Sequence, residues 1–203
     1  TYRIEASQAF GTGGHETTSG CLTVLDAMKT RGQRFRNILD VGTGTGLLAF
    51  AARHLWPLAS VTASDIDPIS IDVSVENAHV NRVPLGGSSG AVDLYIASGV
   101  DHPALQARGP YDLIIANILA GPLIELAPGI VSLLEEGGTV ILAGLLNTQA
   151  DAVARQWCRA RRAADQASAI WRAKAGADER AAIPAARGFR HLVGFPSRNM
   201  SLC

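Results

Sequence analysis

Three groups of residues are of the types, and at the spacings, that handle a small polar ligand. Gly42-Thr43-Gly44-Thr45-Gly46 follows a run of β-type residues that ends in Asp40-Val41. Gly42 and Gly44 are candidate contacts, because backbone without a Cβ can approach a ligand closely. The spacing is G-x-G-x-G, with Leu47 where the dinucleotide pattern G-x-G-x-x-G has its last glycine. Asp65 ends the next β-type run, the place where a carboxylate accepts both hydroxyls of a ribose. Asp67, directly before Pro68, suits a helix cap instead. Asp40 either holds a cationic amine of the ligand through water or bonds to backbone in the turn. The third group is Ala116-Asn117-Ile118-Leu119. An amide and free carbonyls at that point accept hydrogen bonds from an incoming amine and align its lone pair for in-line attack, which makes Asn117 the candidate catalytic residue. A turn-forming Asn is the structural alternative.

The stretch from Gln8 to Cys21 sets Phe10, His15, Thr17 and Thr18 among glycines. It suits a lid over a ligand, with Phe10 as the cover, or else a mobile leader. Thr17 or Thr18 is expected to cap the helical run through Leu22, Leu25 and Met28. His15 is a proton acceptor in the first reading and an exposed loop histidine in the second.

The elements that must position these residues alternate between two periods. Asn37 to Val41, Ser60 to Ser64, Val92 to Ala97, Asp112 to Ala116 and Thr139 to Ala143 read as strands. Leu47 to Leu55 and Pro68 to about Asn81 read as helices, and Pro122 to Leu134 as a helix that Pro128 kinks or splits. Such alternation predicts an α/β, Rossmann-like fold: a mostly parallel sheet with helices on both faces and right-handed crossovers. Every candidate residue then falls at the carboxyl end of a strand, where ligands of open sheets bind. Gln149 to about Ala164 is expected to form a last helix, and Phe189 to Phe195 is strand-like.

At 203 residues, 47% apolar and 18% charged, the chain suits one globular unit. Zero net charge hides an asymmetry, since the residues after 150 carry a basic excess and those before it an acidic one. The basic block is read as a solvated face, with no direct nucleic-acid partner. Cys21, Cys158 and Cys203 are odd in number and lack C-x-x-C spacing, so they give neither a disulfide framework nor a zinc site; no metal is expected, and a reducing compartment is. Leu113 to Leu134 is broken by Asn117, Gly121, Pro122, Glu125 and Pro128 and is not a membrane span. No secretory leader opens the chain, which makes the cytoplasm the expected location.

The strings AFGTGGHETTSGCL, ILDVGTGTGLLAFAA, DIDP, ANILAGPLIELAP and GGTVILAGLL, in that order, resemble the bacterial ribosomal protein L11 methyltransferase family over about residues 7–152. The resemblance implies a seven-stranded class I methyltransferase sheet and S-adenosylmethionine as cofactor, held at Thr18, Gly42, Asp65 and Asn117. It also implies methyl transfer to amines, lysine side chains and the N-terminal amine, of a ribosomal protein. Two features depart from the family pattern. Members carry an N-terminal recognition domain, and here about seven residues precede the matching stretch. Members also finish with a strand pair around a Gly-Glu-Trp string, whereas this tail is rich in Arg and Ala, a composition that an out-of-frame reading of a GC-rich gene would also produce. The expected organisation is a cofactor-binding catalytic unit over 1–155, lid included, and an atypical region over 156–203 that completes the sheet. An NAD-dependent oxidoreductase and an inactive cofactor-binding remnant are the alternatives. Asn117 and the absent glycine at 47 argue against the first.

Overall fold

The computed structural model describes residues 14–174, 191–194 and 198–200 of the chain. Seven strands form one sheet: β1 (Asn37–Val41), β2 (Ser60–Asp65), β3 (Val92–Ile96), β4 (Tyr111–Asn117), β5 (Leu134–Ala143), β6 (His191–Gly194) and β7 (Arg198–Met200), in the order β3-β2-β1-β4-β5-β6-β7. Neighbouring pairs from β3 across to β6 are parallel, and β7 runs antiparallel to β6. Strand order reverses between β1 and β4, which are direct neighbours with Val41 beside Ala116. Crossovers on either side of that seam leave a crevice at the strands' carboxyl ends.

The helices are α1 (Gly14–Thr30), α2 (Leu47–Leu55), α3 (Pro68–Val80), α4 (Pro103–Arg108), α5 (Ala120–Glu125), α6 (Ala127–Leu133) and α7 (Ala150–Lys174). They cover both faces, and β4 shows how. Leu113 and Ile115 join the core under α1, α2 and α3 with Leu25, Phe50 and Ala78. Ile114 and Ala116 join the opposite core with Leu105, Leu123, Ile130 and Trp157. Strands buried on both sides lose the apolar/polar alternation of a half-exposed sheet, which is why β4 reads as one continuous apolar run.

The expected strands and helices are present, with differences: α7 runs on to Lys174, past Ala164, and β7 is a strand beyond those expected from the local pattern. The stretch Pro122 to Leu134, expected as a helix that Pro128 kinks or splits, is split into two helices parted at Leu126, because Pro128 has no N–H to continue α5 and instead sits in the first turn of α6. Helix α4 is an addition, opened by His102, whose Nδ1 accepts the Ala104 N–H at 3.2 Å. β5 begins at Leu134, earlier than Thr139, and its pairing with β4 shifts register between Tyr111 and Leu113. α1 begins at Gly14, so Thr17 and Thr18 lie inside its first turns and neither is the cap. Phe10 and the side chain of His15 lie outside the described residues.

Helix α7 docks through Trp157, which is 1% exposed and donates its indole N–H to the Leu123 carbonyl at 2.9 Å. Cys21 is free and buried, while Cys158 is disulfide-bonded. The bond at Cys158 departs from the expectation that the cysteines give no disulfide framework and mark a reducing compartment, since spacing along a chain does not reveal which thiols approach in space. Among the described residues no helix is long and apolar enough to cross a membrane.

Candidate active site

At the carboxyl end of β1 the chain turns sharply through Gly42 to Gly46 into α2. Gly42 has φ +71°, and a Cβ there would collide with the Cγ2 of Ile118, so only glycine fits. The turn is braced from three sides. Gly42 and Thr43 donate their N–H groups to the Ser64 carbonyl at 2.8 and 3.0 Å. From α3, the Ser74 hydroxyl donates to the Gly44 carbonyl at 2.8 Å and the Asn77 amide to the Thr45 carbonyl at 3.1 Å. Asp65, at the end of β2, accepts the Gly44 N–H at 2.9 Å through one oxygen and the Asp67 N–H at 3.0 Å through the other. Each carboxylate oxygen has a second lone pair, so Asp65 keeps acceptor capacity for the two hydroxyls of a ribose. Asp67 caps α3 as expected, accepting the Ile69 N–H at 3.0 Å.

Asp40 lies beneath the turn and is 1% exposed. One of its oxygens accepts the Thr43 hydroxyl at 2.7 Å and the Ala49 N–H at 3.1 Å, while the other is buried without a hydrogen-bond partner. Burial pushes its pKa up to about 6; the two hydrogen bonds oppose the rise and the charge of Asp65 adds to it. Of the two expectations for Asp40, bonding within the chain is the one seen, although its donors are the Thr43 hydroxyl and a helix amide rather than turn backbone. Cys21 is driven to about 12, by burial first and by Asp40 second, so its thiol stays protonated.

Across the seam, Asn117 ends β4. Its side-chain amide donates to the Thr18 hydroxyl of α1 at 3.0 Å, and its carbonyl oxygen is buried without a hydrogen-bond partner. Thr18, Gly42, Gly44, Asp65 and Asn117 therefore share one rim of the sheet. Ile118 links them: its side chain lies over Gly42, and its backbone crosses Gly144 so closely that a Cβ there would strike the Ile118 carbonyl oxygen and come within 2.9 Å of its nitrogen. Gly144 has φ +84°. Sequence reasoning missed Ile118, Gly144, Ser74 and Asn77. A signal for the last two existed, because they are polar residues on the α3 face that also buries Ile71 and Ala78.

A parallel sheet with this order, a glycine turn after β1, an acid after β2 and an amide after β4 define the architecture of class I methyltransferases. The chain has the same fold as a protein-L-isoaspartate O-methyltransferase from Plasmodium falciparum, solved with S-adenosyl-L-homocysteine, at a TM-score of 0.52 and 17% identity over 68% of this chain and 64% of that one. It is more similar to a ribosomal protein L11 methylase from Lactobacillus delbrueckii subsp. bulgaricus, with a TM-score of 0.64 and 32% identity over 79% of this chain and 75% of that one. The ribosomal protein L11 methyltransferase of Agrobacterium fabrum is 49% identical over 146 residues, 72% of this chain and 48% of its own length. The model of the family described as ribosomal protein L11 methyltransferase (PrmA) matches residues 1–168. The chain belongs to that family, and it spans about half the length of the curated relatives it matches. These similarities lend no support to the oxidoreductase alternative.

Proposed function

We propose that the chain is the catalytic part of an S-adenosylmethionine-dependent protein N-methyltransferase that acts in the cytoplasm on amines of a ribosomal protein. The catalytic unit extends over 1–155, and the region after it contributes the rest of α7 to the core and β6 and β7 to the sheet. The observation that carries the reading is the orphaned Asn117 carbonyl oxygen, facing the same rim as the glycine turn and Asp65.

The residues present fit the cofactor. Gly42 and Gly44 offer backbone free of Cβ, Asp65 offers spare lone pairs for the ribose, and Thr18 and Asn117 close the opposite wall. Phe10, which lies outside the described residues, remains the proposed cover for the bound molecule. When bound, S-adenosylmethionine would supply an electrophilic methyl group: the lone pair of a neutral amine would form the N–C bond in line as the C–S bond breaks and the sulfur leaves with its electron pair as S-adenosylhomocysteine. A lysine ammonium has an ordinary pKa of about 10.4, so the rim must favour the neutral amine. The buried walls do this by disfavouring charge. Asn117 Oδ1 accepts an N–H of the amine and so points the nitrogen lone pair away from the amide. The Thr18 hydroxyl fixes which way that amide faces. Catalysis is positioning, with no base at the reacting carbon.

Asp65→Asn tests the cofactor site. The amide keeps one acceptor oxygen for the turn but removes the charge and the second acceptor, so affinity for S-adenosylmethionine should fall about 10- to 100-fold in calorimetry, the range for hydrogen bonds to a charged group. Undiminished affinity with an intact fold would refute the ribose role.

A further inference from the structure

Two large apolar side chains stand in solvent on the loops that follow β4 and β5: Leu119 is 73% exposed and Leu146 is 68% exposed. Single exposed leucines are ordinary on protein surfaces. These two differ in placement and in how firmly they are held. Leu119 comes two residues after Asn117 at the end of β4, and Leu146 three residues after Ala143 at the end of β5, and Asn117 and Ala143 are paired in register. The close crossing of Ile118 over Gly144 locks the two loops side by side. Leu119 is the N-cap of α5, and its carbonyl accepts the Leu123 N–H at 3.1 Å. Leu146 is clamped twice by Gln149, which accepts its N–H at 2.8 Å through Oε1 and donates its own N–H to the Leu146 carbonyl at 2.9 Å. Rigid backbone thus presents apolar side chains at the mouth of the acceptor wall.

We propose that Leu119 and Leu146 determine specificity, flanking the acceptor path and holding the methylene stem of a lysine whose nitrogen reaches Asn117. The inference rests on the methyltransferase reading above and deepens it. A lysine carries its amine at the end of four methylene groups, and that stem sheds water when the head enters a buried rim. An apolar pair at the entrance gives the stem a surface to lie on. The α-amine of a chain terminus has no such stem and gains nothing from the pair, so the two leucines favour lysine ε-amines over terminal amines.

The test uses the full 203-residue chain with two peptides at high concentration: an N-acetylated peptide with one lysine, and a lysine-free peptide with a free N-terminus. Leu119→Ser and Leu146→Ser should each raise KM for the lysine peptide about tenfold, the effect of losing most of one leucine's apolar contact. The same variants should leave kcat, the cofactor KM and the KM of the lysine-free peptide unchanged. Both substitutions are at exposed positions and should not alter the thermal midpoint. An unchanged KM for the lysine peptide, or an equal rise for both peptides, would overturn the stem-holding role while leaving the enzyme assignment standing. Failure of the unsubstituted chain to methylate either peptide would overturn the methyltransferase reading, and the role of the leucines with it.

Discussion

Asp40 is the residue whose ionisation bears most directly on stability. Its pKa rises from the ordinary 3.8 to about 6 because it is buried. Between those values the folded chain holds a proton that the unfolded chain has released. Stability therefore declines as pH rises from about 4 to 6, by up to about 3 kcal/mol, and levels off above. Asp40→Asn carries no such proton. In urea titrations the variant should gain on the parent by that amount between pH 4 and pH 7, and a gap that stays constant would assign the titration elsewhere. At the rim, Thr18→Val removes the hydroxyl that the Asn117 amide donates to. An unsatisfied buried donor costs about 1–3 kcal/mol, and the amide loses its fixed orientation. Single-turnover methyl transfer should slow about tenfold, and Thr18→Ser should restore most of it.

At the scale of elements, the approach of Ile118 to Gly144 joins the β4 and β5 ends. Gly144→Ala adds a Cβ that strikes the Ile118 carbonyl at a positive φ, so it should lower stability by about 1–3 kcal/mol, read as a lower thermal midpoint, and weaken cofactor binding with no change in any ligand-facing side chain. Elements with a strong local signal were legible in the sequence. β1 and α2 agree with their expected bounds, Asn37 to Val41 and Leu47 to Leu55, because an apolar run ends at glycines and an Ala/Leu helix ends before Pro57. α4 was not legible, since its six residues bury only Leu105 and leave no apolar stripe to detect. The first half of β5, Glu135-Glu136-Gly137-Gly138, runs against strand propensity and falls in the register shift between the Tyr111–Leu134 and Leu113–Thr139 pairs with β4. The site follows the same division. Asp65 and Asn117 were legible because both stand where strands end. The crossing of Ile118 over Gly144 joins separate loops, and no local pattern records it.

For the whole molecule, α7 matters beyond its amphipathic pattern, since Trp157 and Ala160 belong to the core that Leu123 and Ile130 line. A chain ending at Asp165 should keep cooperative thermal unfolding followed by circular dichroism. One ending at Arg155 should lose it, because removing a buried Trp alone costs about 3–5 kcal/mol. The hydrogen bond between Thr18 and Asn117 spans 99 residues. It cannot exist on a ribosome-bound nascent chain until β4 has emerged and joined β1. Earlier stages of synthesis already contain the glycines and the acid but not the facing wall. Tight ligand retention would therefore report that β4 has joined the sheet, and ligand release assays on stalled translation intermediates should show retention appearing in one step after β4 emerges rather than growing with length.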